Sequence, residues 1–366
     1  MNNTLKFPLY AKFAFIAIGA FAFVSTMYIG QQIILPIIYA TIIAILLNPI
    51  VNFFIRKGIN RIVAISIAVA LAIMVTVSLF YFLSVQITLF TETYPALKEK
   101  FNETSAQVIH WTSENFNIKT SKIDLWIKET QNDALNNMRG AIGQTISAIN
   151  SILIIVVLLP VYLFMILYYK NLLLEFIRRL FNSAHHFAVF EILFNSKKII
   201  QSYLTGLLVE AAIVATLNSL GLLILGIDYA IILGITGALL NVIPYIGGVI
   251  AIALPMIIAF VTKESSTYVL LVLGVYLLIQ FIDNHFIIPR IVASKVKINA
   301  LISVIAVLVG SALWGVPGMF LSIPLTAILK VIFDHIEPLK PWGFLLGNIV
   351  PTSKLKFDFI KKKIRK

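Results

Sequence analysis

The chain of 366 residues contains no cysteine, and only 12% of its residues are charged. The absence of cysteine excludes disulfide bonds, thiolate metal sites and cysteine nucleophiles. Soluble domains have about a quarter of their residues charged, so this small charged fraction, together with 60% apolar residues, excludes an ordinary soluble fold. Apolar stretches of about 20 residues, each long enough to cross a hydrocarbon layer of about 30 Å, recur along the chain. The sequence therefore predicts an all-α, polytopic membrane protein.

Signature motifs of several enzyme classes are also missing from the sequence. It has no His-Glu-x-x-His motif, no Gly-x-Ser-x-Gly nucleophile elbow and no phosphate-binding loop, so direct ATP hydrolysis is not expected. The adjacent His185 and His186 would diverge by about 100° on a helix, which disfavours a shared metal ion. We therefore predict a protein that is not an enzyme, with no catalytic residues, no metal site and no cofactor.

The apolar stretches predict about eight membrane segments. Six long stretches predict full spans, at about residues 8–30, 33–54, 62–90, 146–169, 199–225 and 267–288. Two pairs of shorter stretches, 228–241 with 246–261 and 298–313 with 319–332, are each interrupted by a segment that contains Gly and Pro. A 14-residue helix reaches only about 21 Å. This length favours re-entrant helical hairpins, with tightly connected full spans as the alternative.

These segments divide the chain into five predicted regions. They are N-terminal transmembrane helices (1–90), a polar external insert (91–145), a transmembrane helix with a basic cytoplasmic loop (146–198), a transport core with both broken hairpins (199–345) and a basic cytoplasmic tail (346–366). The insert has apolar positions at Leu97, Phe101, Val108 and Trp111 and is predicted to form amphipathic helices. A solvated cap on the membrane face is the favoured interpretation, and a gate or an oligomer contact is the alternative. A homo-oligomer is compatible with the sequence, which leaves the oligomeric state open.

The net charge of +13 is distributed unevenly. Residues 1–12, 56–61, 170–198 and 351–366 carry +2, +3, +3 and +6, which is +14 together, and the remainder of the chain carries −1. Short cytoplasmic loops of membrane proteins collect Lys and Arg. The charges therefore predict that both termini lie in the cytoplasm and the insert lies outside. The basic tail is expected to attract anionic lipid headgroups, and nucleic-acid binding is not expected.

The two interrupted regions align in part after a shift of 70 residues. Glu210 then falls on Gln280, and Gly248 falls on Gly318. The helices that precede the two hairpins would cross the membrane in opposite directions under the predicted topology. This arrangement is typical of an inverted repeat, in which the paired Gly- and Pro-interrupted segments indicate the substrate site. Chance alignment of apolar sequence is the alternative.

A few polar side chains fall within the predicted spans. Such residues usually face the interior of a helix bundle, a water-filled cavity or a partner. Hydrogen bonding between helices is the alternative, and it is favoured for Asn218 taken alone. The candidate site residues in spans are Glu210, Asn218, Asn241, Gln280, Asp283 and Asn284, of which the last three are expected on one helical face.

The hairpin breaks supply further candidates. Pro244 lacks an N–H, and Gly247 and Gly248 permit close approach of the backbone. Irregular backbone at membrane depth must line a cavity or be buried in protein. The freed amides and carbonyls could therefore bind a polar solute.

The sequence resembles the autoinducer-2 exporter (AI-2E) family of permeases from about Lys12 to Lys340. The motifs that carry the resemblance are Pro244-Tyr245-Ile246-Gly247, Gln280-x-x-Asp283-Asn284 with Pro289, and Gly315-x-x-Gly318 followed by Ile323-Pro324. These motifs add four residues to the candidate site, namely Tyr245, Pro289, Gly315 and Gly318. In two places the chain departs from the family pattern, with Gly248 where the family usually has Pro and Asp283 where it commonly has Glu. The resemblance implies a cytoplasmic-membrane transporter that exports autoinducer-2, and other members look like sodium/proton antiporters.

Three functions follow from these features. The amides of Asn241, Gln280 and Asn284 suit a small polar solute exported by alternating access. The carboxylates of Glu210 and Asp283 suit a sodium(cation)/proton antiporter. A membrane scaffold that uses the insert and the tail, without transport, is the alternative of another class.

Overall fold

The computed structural model describes residues 8–116, 158–242 and 246–348, and nearly all of these residues are helical. In chain order the helices are α1 (Leu9–Ile29), α2 (Gln31–Arg56), α3 (Arg61–Phe116), α4 (Leu158–Arg179), α5 (His186–Ile224), α6 (Ala230–Asn241), α7 (Ile246–Thr262), α8 (Thr267–Val296), α9 (Ala300–His335) and α10 (Lys340–Leu346). The β pairing within the described residues is a single bridge between Ile298 and Gly347. The predicted all-α class is confirmed.

Seven helices are long and apolar enough to cross a membrane, namely α1, α2, the Arg61–Phe82 part of α3, α4, α5, α8 and α9. The helices α6 and α7 are apolar but shorter, at 12 and 17 residues. Many large apolar side chains of α1, α3 and α9 are exposed, as expected for surfaces that contact lipid or another membrane segment. The chain is therefore a multi-pass membrane protein, as the sequence predicts.

The helix α3 continues past the predicted end of the third span at residue 90. It is 56 residues long and passes through Pro95 and into the polar insert. The change in polarity at residue 91 therefore marks a change in the surroundings of the chain and not the end of a helix. Leu97 and Phe101 of the insert lie on this helix, whereas the side chains of Val108 and Trp111 and residues 117–157 lie outside what the structure describes.

The expectation that residues 170–198 form a basic loop is wrong in its extent. The helix α4 continues to Arg179, and α5 begins at His186, so the connection is short. Glu175 accepts hydrogen bonds from Arg178 at 2.7 Å and from Arg179 at 2.9 Å. Such pairs at i+3 and i+4 support a helix in a charged stretch. This local pairing stabilises the helix in the stretch where the charge pattern predicts a loop.

Two of the four basic regions meet at one end of the molecule. The Arg61 guanidinium, at the end of the 56–61 loop, donates to the carbonyl oxygens of Leu167 and Tyr168 on α4 at 3.3 and 2.7 Å. The Lys170 ammonium donates to Asn48 Oδ1 on α2 at 2.9 Å. The predicted topology requires these two basic regions to lie on the same side of the membrane, and their contact at one end of the bundle agrees with it.

The helices α5 and α8 run antiparallel through the centre of the molecule. A Cβ atom on Gly206, at the middle of α5, would lie 2.7 Å from the carbonyl oxygen of Ile291, near the end of α8. A Cβ atom on Gly221, near the end of α5, would lie 2.5 Å from Val275 Cγ1, near the beginning of α8. Because glycine has no side chain, the two helices approach closely at both points. Their opposite directions are those that an inverted repeat requires.

Each of these two helices is followed by a helical hairpin. The first hairpin consists of α6 and α7, and its tip contains residues 243–245, which lie outside the described residues. The second hairpin is formed within α9, where Gly315 adopts φ 63° and ψ −141°. Gly310 and Gly318 touch across this turn, so the chain folds back on itself. The break is confined to Gly315, and the sequence-based expectation of an interruption over 314–318 is too wide.

The hairpins begin at opposite ends of the antiparallel pair, because α6 follows the end of α5 and α9 follows the end of α8. One apolar cluster packs the second hairpin against α2, α5 and α8 through Leu35, Ile42, Leu204, Val292 and Leu321. Another cluster packs the first hairpin against α5 and α8. Both hairpins are thus held against the same central pair of helices. Whether they are re-entrant or fully spanning stays a prediction.

Candidate functional site

A cavity of about 580 Å³ lies between α5, α8 and the two hairpins. Ligand sites for small molecules are typically about 300–1,000 Å³, largely apolar, and contain a few polar groups. The lining fits that description, because Leu207, Ile252, Val292 and Val307 are among its apolar residues. Its polar residues are Tyr203, Glu210, Asn241, Gln280, Asn284 and Ser303. We call this space the main cavity.

The polar groups of the main cavity come from elements that are distant in sequence. Glu210 lies on α5 and is 7% exposed, so its carboxyl group is largely shielded by protein. Gln280 and Asn284 lie one turn apart on α8, and Gln280 Nε2 donates to Asn284 Oδ1 at 3.4 Å. Asn241 is the last residue of α6. The amides therefore face the cavity from two sides, and each can donate and accept hydrogen bonds.

A second, much smaller space of about 10 Å³ lies beside the main cavity, between α5, α6, α7 and α8. Its polar residues are Asn218, Asn241, Tyr276, Gln280 and Asp283. We call this space the inner chamber. Asn241 and Gln280 line both spaces, so they form the polar boundary between them.

Asp283 lies in the inner chamber and does not line the main cavity. Its side chain is 1% exposed, and its Oδ2 atom accepts a hydrogen bond of 3.0 Å from Asn241 Nδ2. Successive residues on a helix diverge by about 100°. This divergence explains why Asp283 lines the inner chamber and Asn284 lines the main cavity, although the sequence predicts both residues on one face of the helix.

The helix α8 changes its hydrogen-bonding pattern at this site. It is α-helical to Ile282, and Asp283–Ile287 and Pro289–Ala293 form two π-helical turns. Such π-turns are rare and often occur at functional sites. Pro289 has no N–H to donate to the preceding turn, which accounts for a disturbed helix at this position. The candidate Pro289 is thus placed in the irregular part of α8, not in the lining of the main cavity.

The glycine candidates have different positions. Gly248 lines the main cavity. A Cβ atom on Gly247 would overlap the Leu240 carbonyl, so this glycine permits α6 and α7 to approach at the tip. Gly315 and Gly318 form the turn of the second hairpin and do not line the main cavity. The candidates Pro244 and Tyr245 lie outside the described residues.

Several residues of the site are not among the candidates predicted from the sequence. They are Tyr203, Tyr276 and Ser303. Tyr276 precedes Gln280 by four residues and Asp283 by seven, so helical spacing alone could indicate it. Tyr203 likewise precedes Glu210 by seven residues. Ser303 carries no comparable signal, because its approach to the cavity depends on how distant helices pack. The sequence favours hydrogen bonding between helices for Asn218. The structure places Asn218 in the inner chamber, and its Oδ1 has no hydrogen-bond partner among the described residues.

Comparison with known proteins agrees with these features. Residues 14–337 match the family described as AI-2E family transporter. The AI-2 transport protein TqsA of Escherichia coli (strain K12) is 28% identical over 333 residues, which cover 87% of this chain and 91% of TqsA. YrrI of Bacillus subtilis (strain 168) is 26% identical over 309 residues, which cover 83% of this chain and 87% of YrrI. Because the family match extends over most of the sequence, the chain belongs to the AI-2E family of membrane transporters.

Proposed function

We propose that the chain is a secondary transporter that exports a small polar solute and binds it in the main cavity. The observation that carries the proposal is the set of three amides, Asn241, Gln280 and Asn284, in a cavity of about 580 Å³ with largely apolar walls. Amide groups in apolar surroundings pair with hydroxyl and carbonyl groups, and apolar walls exclude competing water. A small polyhydroxylated molecule would satisfy these amides.

Autoinducer-2 is the solute that we propose to test first. TqsA, at 28% identity, is named as an AI-2 transport protein, and the similarity extends over 91% of its length. A compact molecule with several hydroxyl groups can bond to the amides from both sides of the cavity. Family membership supports transport, and the choice of solute is the more specific part of the proposal.

The arrangement of the helices supports alternating access as the mechanism. The antiparallel α5 and α8 and the two hairpins enclose the main cavity, and the hairpins begin at opposite ends of this pair. In transporters built from inverted repeats, one repeat moves against the other around a site near the middle of the membrane. We propose that movement of the hairpins relative to α5 and α8 opens the cavity to each side in turn.

A flux screen tests the proposed function most broadly. Purified protein would be reconstituted into liposomes loaded with autoinducer-2, with simple sugars or with cations, and efflux of each would be measured. We expect efflux of autoinducer-2 above that of protein-free liposomes. Efflux of none of these compounds would contradict transport, and efflux of sugars alone would contradict autoinducer-2 as the solute.

Cation/proton antiport is a second candidate function. It is supported by the carboxyl groups of Glu210 and Asp283, which are 7% and 1% exposed. The two groups are close enough to interact with each other, and the other side chains that line the two spaces are uncharged. Ionisable groups inside a membrane protein commonly mark ion or proton pathways. Glu210→Gln combined with Asp283→Asn should abolish sodium-driven proton flux in proteoliposomes. Retention of that flux would contradict this function.

We place the protein in the cytoplasmic membrane with both termini in the cytoplasm. The contact of the 56–61 loop with the basic end of α4 supports this orientation. Three further features stay predictions: binding of anionic lipids to residues 351–366, formation of a homo-oligomer, and a scaffold role of the insert and the tail. To test the orientation, single cysteines would be introduced at the insert and at the tail of this cysteine-free chain. Their accessibility to a membrane-impermeant thiol reagent would then be measured.

A further inference from the structure

The inner chamber collects polar atoms that lack partners. Asn218 Oδ1, Tyr276 Oη and Asp283 Oδ1 each have no hydrogen-bond partner among the described residues. The three side chains are 3%, 4% and 1% exposed, and all of them line the chamber. A buried polar group without a partner destabilises the folded protein, and a buried charged group does so more strongly. Three such oxygen atoms around one small space therefore point to a ligand.

The three oxygens come from two helices and meet beside a glycine of a third. A Cβ atom on Gly237 of α6 would lie 3.2 Å from Tyr276 Oη and 3.3 Å from Asn218 Nδ2. The absence of a side chain at this position leaves the chamber open. On its other side, Asn241 donates to Asp283 Oδ2 and leaves Oδ1 available to a ligand.

We propose that the inner chamber is a binding site for one monovalent cation of the size of sodium. Asp283 Oδ1 supplies the negative charge, and Asn218 Oδ1 and Tyr276 Oη supply neutral oxygen ligands. The inference rests on the proposed function, because it assigns this ion as the one whose gradient drives export of the solute. Sites for coupling ions in transporters of inverted-repeat plan lie beside interrupted helices. The inner chamber adjoins the end of α6 and the π-helical turn of α8.

The chemistry of the chamber selects the class of ion. Its oxygen ligands suit hard cations, and it contains no histidine that would favour zinc or copper. Calcium takes six to eight oxygen ligands, often from several carboxylates, and magnesium keeps several waters. The chamber has one carboxyl group and a volume of about 10 Å³, which admits about one water-sized particle. One negative charge and one small space match a monovalent ion.

Asn241 connects the ion to the solute. It lines the main cavity, and its amide nitrogen is the hydrogen-bond partner of Asp283 in the inner chamber. A cation at Oδ1 would shift the position of the carboxylate and, with it, the orientation of the Asn241 amide that the solute contacts. Coupling between two binding sites is reciprocal, so the solute would change the affinity for the ion by the same factor.

Sodium binding to the purified full chain in detergent tests the site without any transport. Binding of radioactive sodium would be measured at constant ionic strength with choline as the replacement cation. We expect saturable binding to the wild type and no binding to Asp283→Asn. Tyr276→Phe removes one oxygen and keeps the ring, and should weaken sodium binding by roughly tenfold. Tyr268→Phe, two turns earlier on α8, is the matched control and should bind like the wild type.

Three results would overturn the proposal. The first is absence of saturable sodium binding to the wild type, and the second is wild-type binding by Tyr276→Phe. The third is loss of binding in Glu210→Gln but not in Asp283→Asn, which would move the ion to the main cavity. Tyr276→Phe keeps the proposal testable if Asp283→Asn does not fold. Because sodium binding and solute efflux are separate measurements, failure of one is distinguished from failure of the other.

Discussion

The Asn241 amide donates a hydrogen bond of 3.0 Å to the Asp283 carboxylate, and this contact joins the tip of the first hairpin to the irregular part of α8. The two residues are separated by 42 positions in the sequence. Asn241 also lines the main cavity, whereas Asp283 is enclosed in the inner chamber. The bond is therefore the direct structural connection between the proposed solute site and the proposed ion site.

The first prediction concerns this hydrogen bond. Asn241→Ala leaves both carboxylate oxygens of Asp283 without a partner among the described residues and should lower the free energy of unfolding by about 1–3 kcal/mol. The measurement is thermal unfolding in detergent. In an Asp283→Ala background the same substitution should cost less, because the partner is already absent. An equal cost in both backgrounds would show that the two side chains are not coupled.

The second prediction concerns the close contact inside the second hairpin. A Cβ atom on Gly310 would overlap the Ser322 hydroxyl and the carbonyl of Gly318, so Gly310→Ala should separate the two arms. Overpacking of this kind costs about 1–3 kcal/mol and should lower the melting temperature. Gly274→Ala is the matched control, because no atom lies within 4 Å of its added methyl group. A Gly310→Ala protein as stable as Gly274→Ala would contradict the observed hairpin geometry.

The third prediction concerns the turn of that hairpin. Gly315 has φ 63° and ψ −141°, a backbone conformation that residues with a side chain rarely adopt. Gly315→Ala meets no atom within 4 Å, so its cost should come from the backbone conformation alone, at about 1–3 kcal/mol. We expect a lower melting temperature and slower solute efflux. Unchanged stability would mean that the turn does not require this conformation.

The fourth prediction concerns the basic end of the bundle. The Lys170 ammonium donates to Asn48 Oδ1 at 2.9 Å, and Asn48 is 6% exposed. Hydrogen bonds to charged groups contribute about 1.5–3 kcal/mol, so Asn48→Ala should destabilise the contact between α2 and α4 by about that amount. The control is Asn52→Ala, one turn later on α2, which we expect to unfold at nearly the wild-type temperature. Similar melting temperatures for both variants would contradict the role of this bond.

Local sequence properties predict much of the fold. The apolar stretches identify the membrane helices, and the segments containing Gly and Pro identify both hairpins. The extent of the helices at 170–198 is not predictable from net charge alone, because charged side chains in that stretch also pair within the helix, as Glu175 does with Arg178 and Arg179. The narrow break at Gly315 likewise depends on a single backbone conformation.

The candidate site is predictable only in part. Glu210, Asn241, Gln280 and Asn284 are polar residues in apolar stretches, and the structure brings all four to the main cavity. The position of Asp283 in a separate chamber depends on how α5, α6 and α8 pack, and local sequence patterns do not determine that packing. For the same reason the partnerless hydroxyl of Tyr276 becomes evident only in three dimensions.

The central claim is that the main cavity holds the transported solute, and the most direct test is efflux of autoinducer-2 from proteoliposomes made with Gln280→Ala or Asn284→Ala. Each substitution removes an amide from the cavity and should reduce the initial rate at low solute concentration by roughly tenfold, because one or two hydrogen bonds are lost. Asn52→Ala removes an amide from α2, outside the lining of either cavity, and should keep the wild-type rate. Wild-type efflux by both cavity variants would contradict the claim.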